Sequence, residues 1–165
     1  MVSISQYTLI CKDGIWVVTG TEEIPCPVCG GELYVRGTCR RGLRQPDETK
    51  NVYRLRVLGC RDCGRSHREL IEEIVPYKRH SVDAICTMQE NPKECLPEPS
   101  VRLRVIAWLC WFLRYAAQVK ESLRLTGVYV TEPPGESLRR RLMCFVRIVV
   151  NSGNWAQHRS VMTCC

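Results

Sequence analysis

Two short cysteine motifs constrain this chain more than any other feature. Residues 26–31 read Cys-Pro-Val-Cys-Gly-Gly, and residues 60–64 read Cys-Arg-Asp-Cys-Gly. The two-residue spacing lets both thiolates of a motif reach one ion, and the glycine that follows lets the turn close without a Cβ clash. Four soft thiolates favour a tetrahedral ion, zinc above all, with no open coordination position. The sequence therefore predicts a structural Zn²⁺ site with the ligands Cys26, Cys29, Cys60 and Cys63.

Two other chemistries use similar motifs. A rubredoxin-like iron centre has the same kind of cysteine turns, and only metal analysis separates it from zinc. A redox-active Cys-x-x-Cys pair would leave the second motif unexplained. His67 could replace one thiolate, but we expect it at the surface, or in contact with nucleic acid, on a strand. Cys39 has no evident partner, and the Cys164-Cys165 tail has no assigned role.

The cysteine content bears on the compartment. Twelve cysteines in 165 residues would suggest disulfides if the chain were secreted. The start of the sequence lacks a basic segment followed by an apolar one, so we predict no signal peptide. The longest uncharged apolar run, residues 105–113, is far shorter than the roughly 18 residues that a membrane span needs. We therefore expect a cytoplasmic protein with reduced cysteines and no membrane partner.

The charge balance points to a phosphate-bearing partner. Lys and Arg number 24 against 17 Asp and Glu, which gives a net charge of +7, and arginine outnumbers lysine by 19 to 5. Arginine suits bidentate contacts with phosphates and base edges. Nucleic acid is accordingly the expected partner. A basic surface that serves only solubility is the alternative.

Local patterns predict strands first and helices later. Residues 7–11 and 15–19 form a hairpin pattern around the turn at 12–14, and further β-prone runs cover 32–35, 52–58 and 65–71. Residues 40–51 have the composition of a basic exposed loop. Helices are predicted over 82–89, 101–125 and 137–150, with Ser81 and Ser100 as N-caps of the first two. On the second helix, Trp108 and Phe112 lie on the core-facing stripe, and the apolar opposite side predicts burial on two sides.

Several segments together resemble a known family. The two cysteine motifs, the run Pro76-Tyr77-Lys78-Arg79-His80, residues 100–108 and residues 151–155 are similar to uncharacterised domains that accompany transposases of bacterial insertion elements. The resemblance spans about residues 26–160. It implies that a zinc ribbon precedes a helical, helix-turn-helix-like region. Combined with the predicted N-terminal hairpin, this gives an α+β protein with a β-rich hairpin and zinc ribbon in residues 1–77 and a small all-helical, helix-turn-helix-like region for DNA binding or interaction in residues 78–165. The resemblance also implies DNA handling without chemistry.

The residues themselves offer no catalytic constellation. A transposase core needs three carboxylates on a nuclease fold with two metal ions, whereas only four aspartates occur, at positions 13, 47, 62 and 83. No Walker, His-Glu-x-x-His or Gly-x-Ser-x-Gly motif is present. We therefore predict no enzyme and no small-molecule substrate.

The leading expectation is a DNA-binding accessory or regulatory protein of a mobile genetic element, associated with the nucleoid when DNA-bound. The nucleic-acid-binding candidates are Arg40, Arg41, Arg44, Lys78, Arg79, Arg102 and Arg104. The alternative is an adaptor that docks on a transposase or forms a homodimer through the apolar long helix. An RNA-binding or transcription factor is a third interpretation.

Overall fold

The computed structural model describes residues 1–93, 96–130 and 137–155. Within them the chain forms six strands and three helices in a mixed α+β arrangement. The strands are β1 (Val2–Ile4), β2 (Tyr7–Lys12), β3 (Ile15–Gly20), β4 (Leu33–Arg44), β5 (Lys50–Cys60) and β6 (Ser66–Ile71). The helices are α1 (Val82–Glu90), α2 (Pro99–Leu125) and α3 (Leu138–Asn151). The Cys164-Cys165 tail lies outside the described residues.

The predicted hairpin is confirmed. Strands β2 and β3 pair antiparallel, with Lys12 opposite Ile15, so Asp13 and Gly14 alone form the turn. Both turn residues have positive φ, 51° and 74°. This is the type I′ geometry that the Asp-Gly pair favours, because its twist matches that of the two strands.

The predicted basic loop at residues 40–51 is wrong for 40–44 and 50–51, which belong to strands, and only residues 45–49 connect them. Strand β4 continues through Arg44 and pairs antiparallel with β5 from Leu33 opposite Cys60 to Arg44 opposite Lys50, with one register shift between Val35 and Gly37. Glycine and arginine gave no local strand signal here. The neighbouring strand decides this conformation, as β propensity depends mainly on such packing.

Strand β5 is the centre of a six-stranded sheet. Strand β4 covers one of its edges, while β3 and β6 share the other, β3 in parallel and β6 antiparallel. The order along the main path is β1-β6-β5-β3-β2, and the sheet curls into a half-barrel. One face of it buries an apolar cluster that includes Leu43, Tyr53, Leu55 and Ile71. The first cysteine motif lies between β3 and β4, and the second begins at the last residue of β5 and precedes β6.

The predicted zinc ribbon followed by an all-helical region is wrong. The first strand of the chain pairs in parallel with β6, and α3 packs against that strand. The Asn151 side chain accepts from the Ser3 amide at 2.8 Å and donates to the Ser3 carbonyl at 2.9 Å. Arg147 of α3 also pairs with Glu22, which follows β3. Sheet and helices are thereby joined, and the division at residues 77 and 78 stays a prediction.

The long helix agrees with the periodicity on one side only. Trp108 and Phe112 are 3% and 0% exposed and their rings stack at 5.1 Å, which confirms the predicted core stripe. The helix begins at Pro99, after Glu98, rather than after a Ser100 cap. On the opposite side Leu103 is 67% exposed and Cys110 is exposed. Burial on two sides is therefore not found within the described chain.

None of the three described helices combines the length and the apolar character that crossing a bilayer requires.

Candidate metal centre

Two turns of the same form present the four cysteines. In the first, the Gly30 amide donates to the Cys26 carbonyl at 2.8 Å; in the second, the Gly64 amide donates to the Cys60 carbonyl at 3.2 Å. Both glycines have positive φ, 78° and 68°, a conformation that residues with a Cβ rarely adopt. The local sequence thus determines the shape of each turn, while the pairing of β4 with β5 brings the two turns together.

The four sulfur atoms meet at one point. All four Sγ atoms lie within 4.8 Å of one another. The Sγ atoms of Cys26 and Cys63 are 3.7 Å apart, and those of Cys29 and Cys60 are 3.5 Å apart. Sulfurs bound at about 2.3 Å to one tetrahedral ion stand about 3.8 Å from one another. The separations fit a shared metal ion, and they are too long for disulfides, whose sulfurs are about 2.05 Å apart.

The environment of the sulfurs also suits a cation. The backbone amides of Cys63 and Asp62 point at the Cys60 sulfur and help to lower its pKa to about 7. At Cys29 the Gly31 amide lowers the pKa, but the crowding thiols of Cys60, Cys63 and Cys26 outweigh it and raise the pKa to about 12. Four thiolates cannot coexist at this distance unless a positive ion lies between them. The predicted cysteine ligands therefore form a site that could hold a metal ion.

His67 contradicts the expectation that it lies at the surface. It is 4% exposed on β6, and its Nε2 atom lies 3.3 Å from the Cys26 sulfur. It stands beside the four-sulfur cluster and is not one of its members. When Nε2 carries the proton it donates to the thiolate, the kind of contact that orients a metal ligand. The four-residue spacing from Cys63 is visible in the sequence, but no local pattern indicates this burial.

Three of the predicted basic residues meet at one cleft. Arg44 at the end of β4, Arg79 after β6 and Arg104 in the second turn of α2 line a cleft of about 360 Å³. Glu48 and Glu98 line it as well, and Arg44 pairs with Glu48 at 2.6 Å. The fold thus joins parts of the chain that are 60 residues apart in sequence.

Other predicted basic residues have partners inside the protein. Arg41 donates through Nη2 to the Lys78 carbonyl at 2.5 Å, and Arg102 donates to the Pro92 carbonyl at 2.8 Å. The Lys78 ammonium lies 4.1 Å from the centre of the Trp108 ring, and burial lowers the pKa of Lys78 to about 8. These three side chains face the protein more than the solvent.

Sequence reasoning missed two cations on the sheet. Arg54 stands directly opposite Arg40, and Lys50 stands directly opposite Arg44, across the β4–β5 pair. The alternation of Val52, Arg54, Arg56 and Leu58 was visible in the sequence and placed Arg54 on a defined face. What it could not show was that β4 extends alongside, because the strand signal of β4 ended early.

Fold and site together define a class: a mixed α+β protein with a curled sheet and a four-cysteine site able to hold a metal ion. Residues 26–102 of the chain match the model of a domain of unknown function (DUF6431). That description names neither transposases nor zinc ribbons. The match covers both cysteine motifs, β4 to β6, α1 and the first turn of α2. No curated protein and no solved structure matches the chain significantly.

Proposed function

We propose that this protein is a zinc-binding, non-catalytic DNA-binding accessory or regulatory protein of a mobile genetic element. Zinc is the ion that four closely spaced thiolates with no carboxylate or histidine ligand favour. The link to a mobile element depends on the motif resemblance described above. The DNA-binding part depends on a feature of the sheet.

That feature is the register of β4 and β5, which places two pairs of positively charged residues directly opposite each other. Arg40 stands opposite Arg54 and Arg44 stands opposite Lys50, and like charges directly opposite each other destabilise a sheet. Glu48 partly compensates the second pair through its ion pair with Arg44, whereas the first pair consists of two arginines. Arg40, Lys50 and Arg54 form no ion pair with any residue in the described part of the chain. A polyanion laid along these strands would offset the repulsion, and this observation carries the proposal.

The neighbouring cleft extends the basic surface. Arg79 and Arg104 lie around the same cleft as Arg44, so six cations follow one another: Arg40, Arg44, Lys50, Arg54, Arg79 and Arg104. If each neutralises one phosphate of a duplex, the logarithm of the association constant should fall with the logarithm of salt concentration at a slope of about −5. Such contacts position a protein on DNA but do not read its sequence.

Fluorescence anisotropy with a labelled duplex at several salt concentrations tests the proposal. Arg54→Gln should weaken binding and reduce the steepness of the salt dependence by about 0.9, because one phosphate contact is lost. Arg124→Gln is the matched control, because the substitution also removes one positive charge. Arg124 is exposed and pairs with Glu121 near the C-terminal end of α2. No duplex binding by the zinc-loaded wild type at low salt would refute DNA binding. An equal change of slope in both variants would refute the assignment to the sheet.

One observation favours the adaptor as a second candidate. A stripe of exposed residues follows one side of α2, formed by Leu103, Ala107, Cys110, Arg114, Ala117, Glu121 and Leu125. Its first half is apolar, and Leu103 and Leu125 are 67% and 74% exposed. Sedimentation equilibrium of the wild type and Leu103→Glu tests homodimerisation through this stripe. A dimer that the substitution dissociates would support it, and a monomer at all concentrations would contradict it.

A further inference from the structure

A second cavity with basic residues in its lining lies beside the middle of β4, apart from the cleft around Arg44. It has a volume of about 350 Å³ and opens between β4, β5, β6 and the segment that follows β6. Leu55, Leu70 and Ile74 form an apolar floor. Ligand pockets for small molecules begin at about this size, and they combine apolar walls with a few convergent polar groups. The four-cysteine cluster is not among its lining residues.

The charged side chains that line this cavity are all positive. Arg40, Arg41 and Arg68 line it, and no carboxylate does among the residues that the structure describes. Burial and the nearby Arg68 guanidinium lower the pKa of Arg41. The Nε atom of Arg41 is buried and donates to no described group. The Arg41 Nη2 atom donates to the Lys78 carbonyl at 2.5 Å, which holds the guanidinium at the cavity wall. Buried polar groups without a partner are rare, so the Nε donor is a further sign that this wall is unusually rich in unneutralised positive charge.

An aromatic ring stands at the mouth. Tyr77 lines the cavity and is 57% exposed. Its φ is +60°, in the left-handed region that a bulky side chain seldom adopts. Strained backbone of this kind persists only where the surrounding structure enforces it, and it clusters at ligand-binding positions. Pro76 and Tyr77, the first two residues of the Pro76–His80 run, therefore form part of the wall of this cavity.

We propose that this cavity binds a nucleoside monophosphate unit. The phosphate would lie against Arg41 and Arg68, since guanidinium groups bind phosphate oxygens in a bidentate manner. The base would stack on Tyr77 and cover the apolar floor, because every base presents a flat face to an aromatic ring. The same unit occurs free, as a mononucleotide, and within single-stranded DNA. The second source would deepen the proposed DNA-binding function and depends on it.

Isothermal titration calorimetry with three probes tests this proposal on the zinc-loaded full chain. The probes are deoxyadenosine 5′-monophosphate, inorganic phosphate and a ten-residue single-stranded oligothymidylate. We expect the mononucleotide to bind at least tenfold more tightly than inorganic phosphate. A tighter oligothymidylate would identify the strand as the source, and a tighter mononucleotide would identify the free compound; both support the proposal when they depend on Arg68. Absence of binding by all three probes would overturn it.

Two variants separate the roles of charge and ring. Arg68→Gln, at an exposed position, should lower the affinity for both the mononucleotide and inorganic phosphate at least tenfold. Tyr77→Asn should weaken only the mononucleotide, and Tyr77→Phe should restore it; asparagine tolerates positive φ, so the turn should remain folded. Arg124→Gln is again the charge control. Equal affinity for the mononucleotide and inorganic phosphate, unaffected by Tyr77→Asn, would show a plain anion site and overturn the proposal.

The outcome is distinguishable from that of the proposed DNA binding. The duplex test depends on Arg54, which does not line the cavity, and the mononucleotide test depends on Arg68, which does. Loss of mononucleotide binding with intact duplex binding would overturn the cavity proposal alone. The reverse result would overturn the duplex proposal alone, and the oligothymidylate titration would then decide between a single strand and the free mononucleotide as the ligand.

Discussion

Replacing Trp108 by alanine should lower the free energy of unfolding more than truncating any other aromatic side chain of α2. The indole is 3% exposed, stacks on Phe112 with the ring centres 5.1 Å apart, and carries the Lys78 ammonium 4.1 Å from its centre. Truncating a buried aromatic side chain costs about 3–5 kcal/mol. The lost ring stacking and cation–π contact raise the expected loss to about 4–6 kcal/mol.

That loss is a large share of the total. A domain of this size has a free energy of unfolding of about 5–15 kcal/mol. With a fall of about 2–4 °C for each kcal/mol, the melting temperature should drop by about 10–20 °C. The assays are thermal denaturation for the melting temperature and urea denaturation for the free energy of unfolding, both followed by circular dichroism with zinc in excess so that metal loss does not contribute.

Trp111→Ala is the matched control on the same helix. Trp111 is half-buried and stacks on Tyr115 at 5.3 Å, nearer the surface. Its truncation should cost only about 1–2 kcal/mol. If the two variants shifted the urea midpoint equally, the burial of Trp108 between α2 and the segment before α1 would be refuted.

Two further predictions concern the metal centre and Lys78. Plasma mass spectrometry of metal content should find one zinc per chain in the wild type and in Cys11→Ser, whose cysteine is exposed and outside the cluster. Cys60→Ser should lose the metal and much of the sheet signal, since metal binding of this kind is part of the folding free energy; full occupancy would rule out the four-thiolate site. The pKa of Lys78 is lowered to about 8 from its ordinary value of 10.5, so the unfolded chain binds more protons between these values. The free energy of unfolding should therefore rise with pH above about 8 in the wild type, and less steeply in Lys78→Met. Parallel curves for the two proteins would contradict the burial of the amine.

Features that depend on short spacing could be predicted from the sequence. The Cys-x-x-Cys-Gly turns need only two thiolates, a two-residue gap and a residue that tolerates positive φ, and Gly30 and Gly64 have that φ. The Asp13-Gly14 hairpin is local in the same sense. Ser81 caps α1 as predicted, since its side chain accepts from the Ala84 amide. In each case the interacting groups are within a few residues of one another.

The core-facing stripe of α2 was also determined by the sequence, because an apolar repeat of 3.6 residues defines a face wherever the helix docks. The pattern did not say how many faces would be covered, and Leu103 remains in solvent. Coverage depends on where α1 and α3 lie, and the periodicity of one helix carries no information about that.

Pairings between distant segments were decided by the tertiary structure alone. The continuation of β4 through Arg40 and Arg44, the parallel pairing of β1 with β6 and the burial of His67 all depend on strands far away in the sequence. Arginine and glycine have weak β preferences, so only the partner strand fixes them in a sheet. The approach of Arg41 to Arg68 has the same origin, since a cavity between three strands exists only once those strands have paired. The sequence alone determined the two cysteine turns and the core-facing side of α2. The basic surface and the arginine cavity arose from long-range strand pairing, which no local pattern encodes.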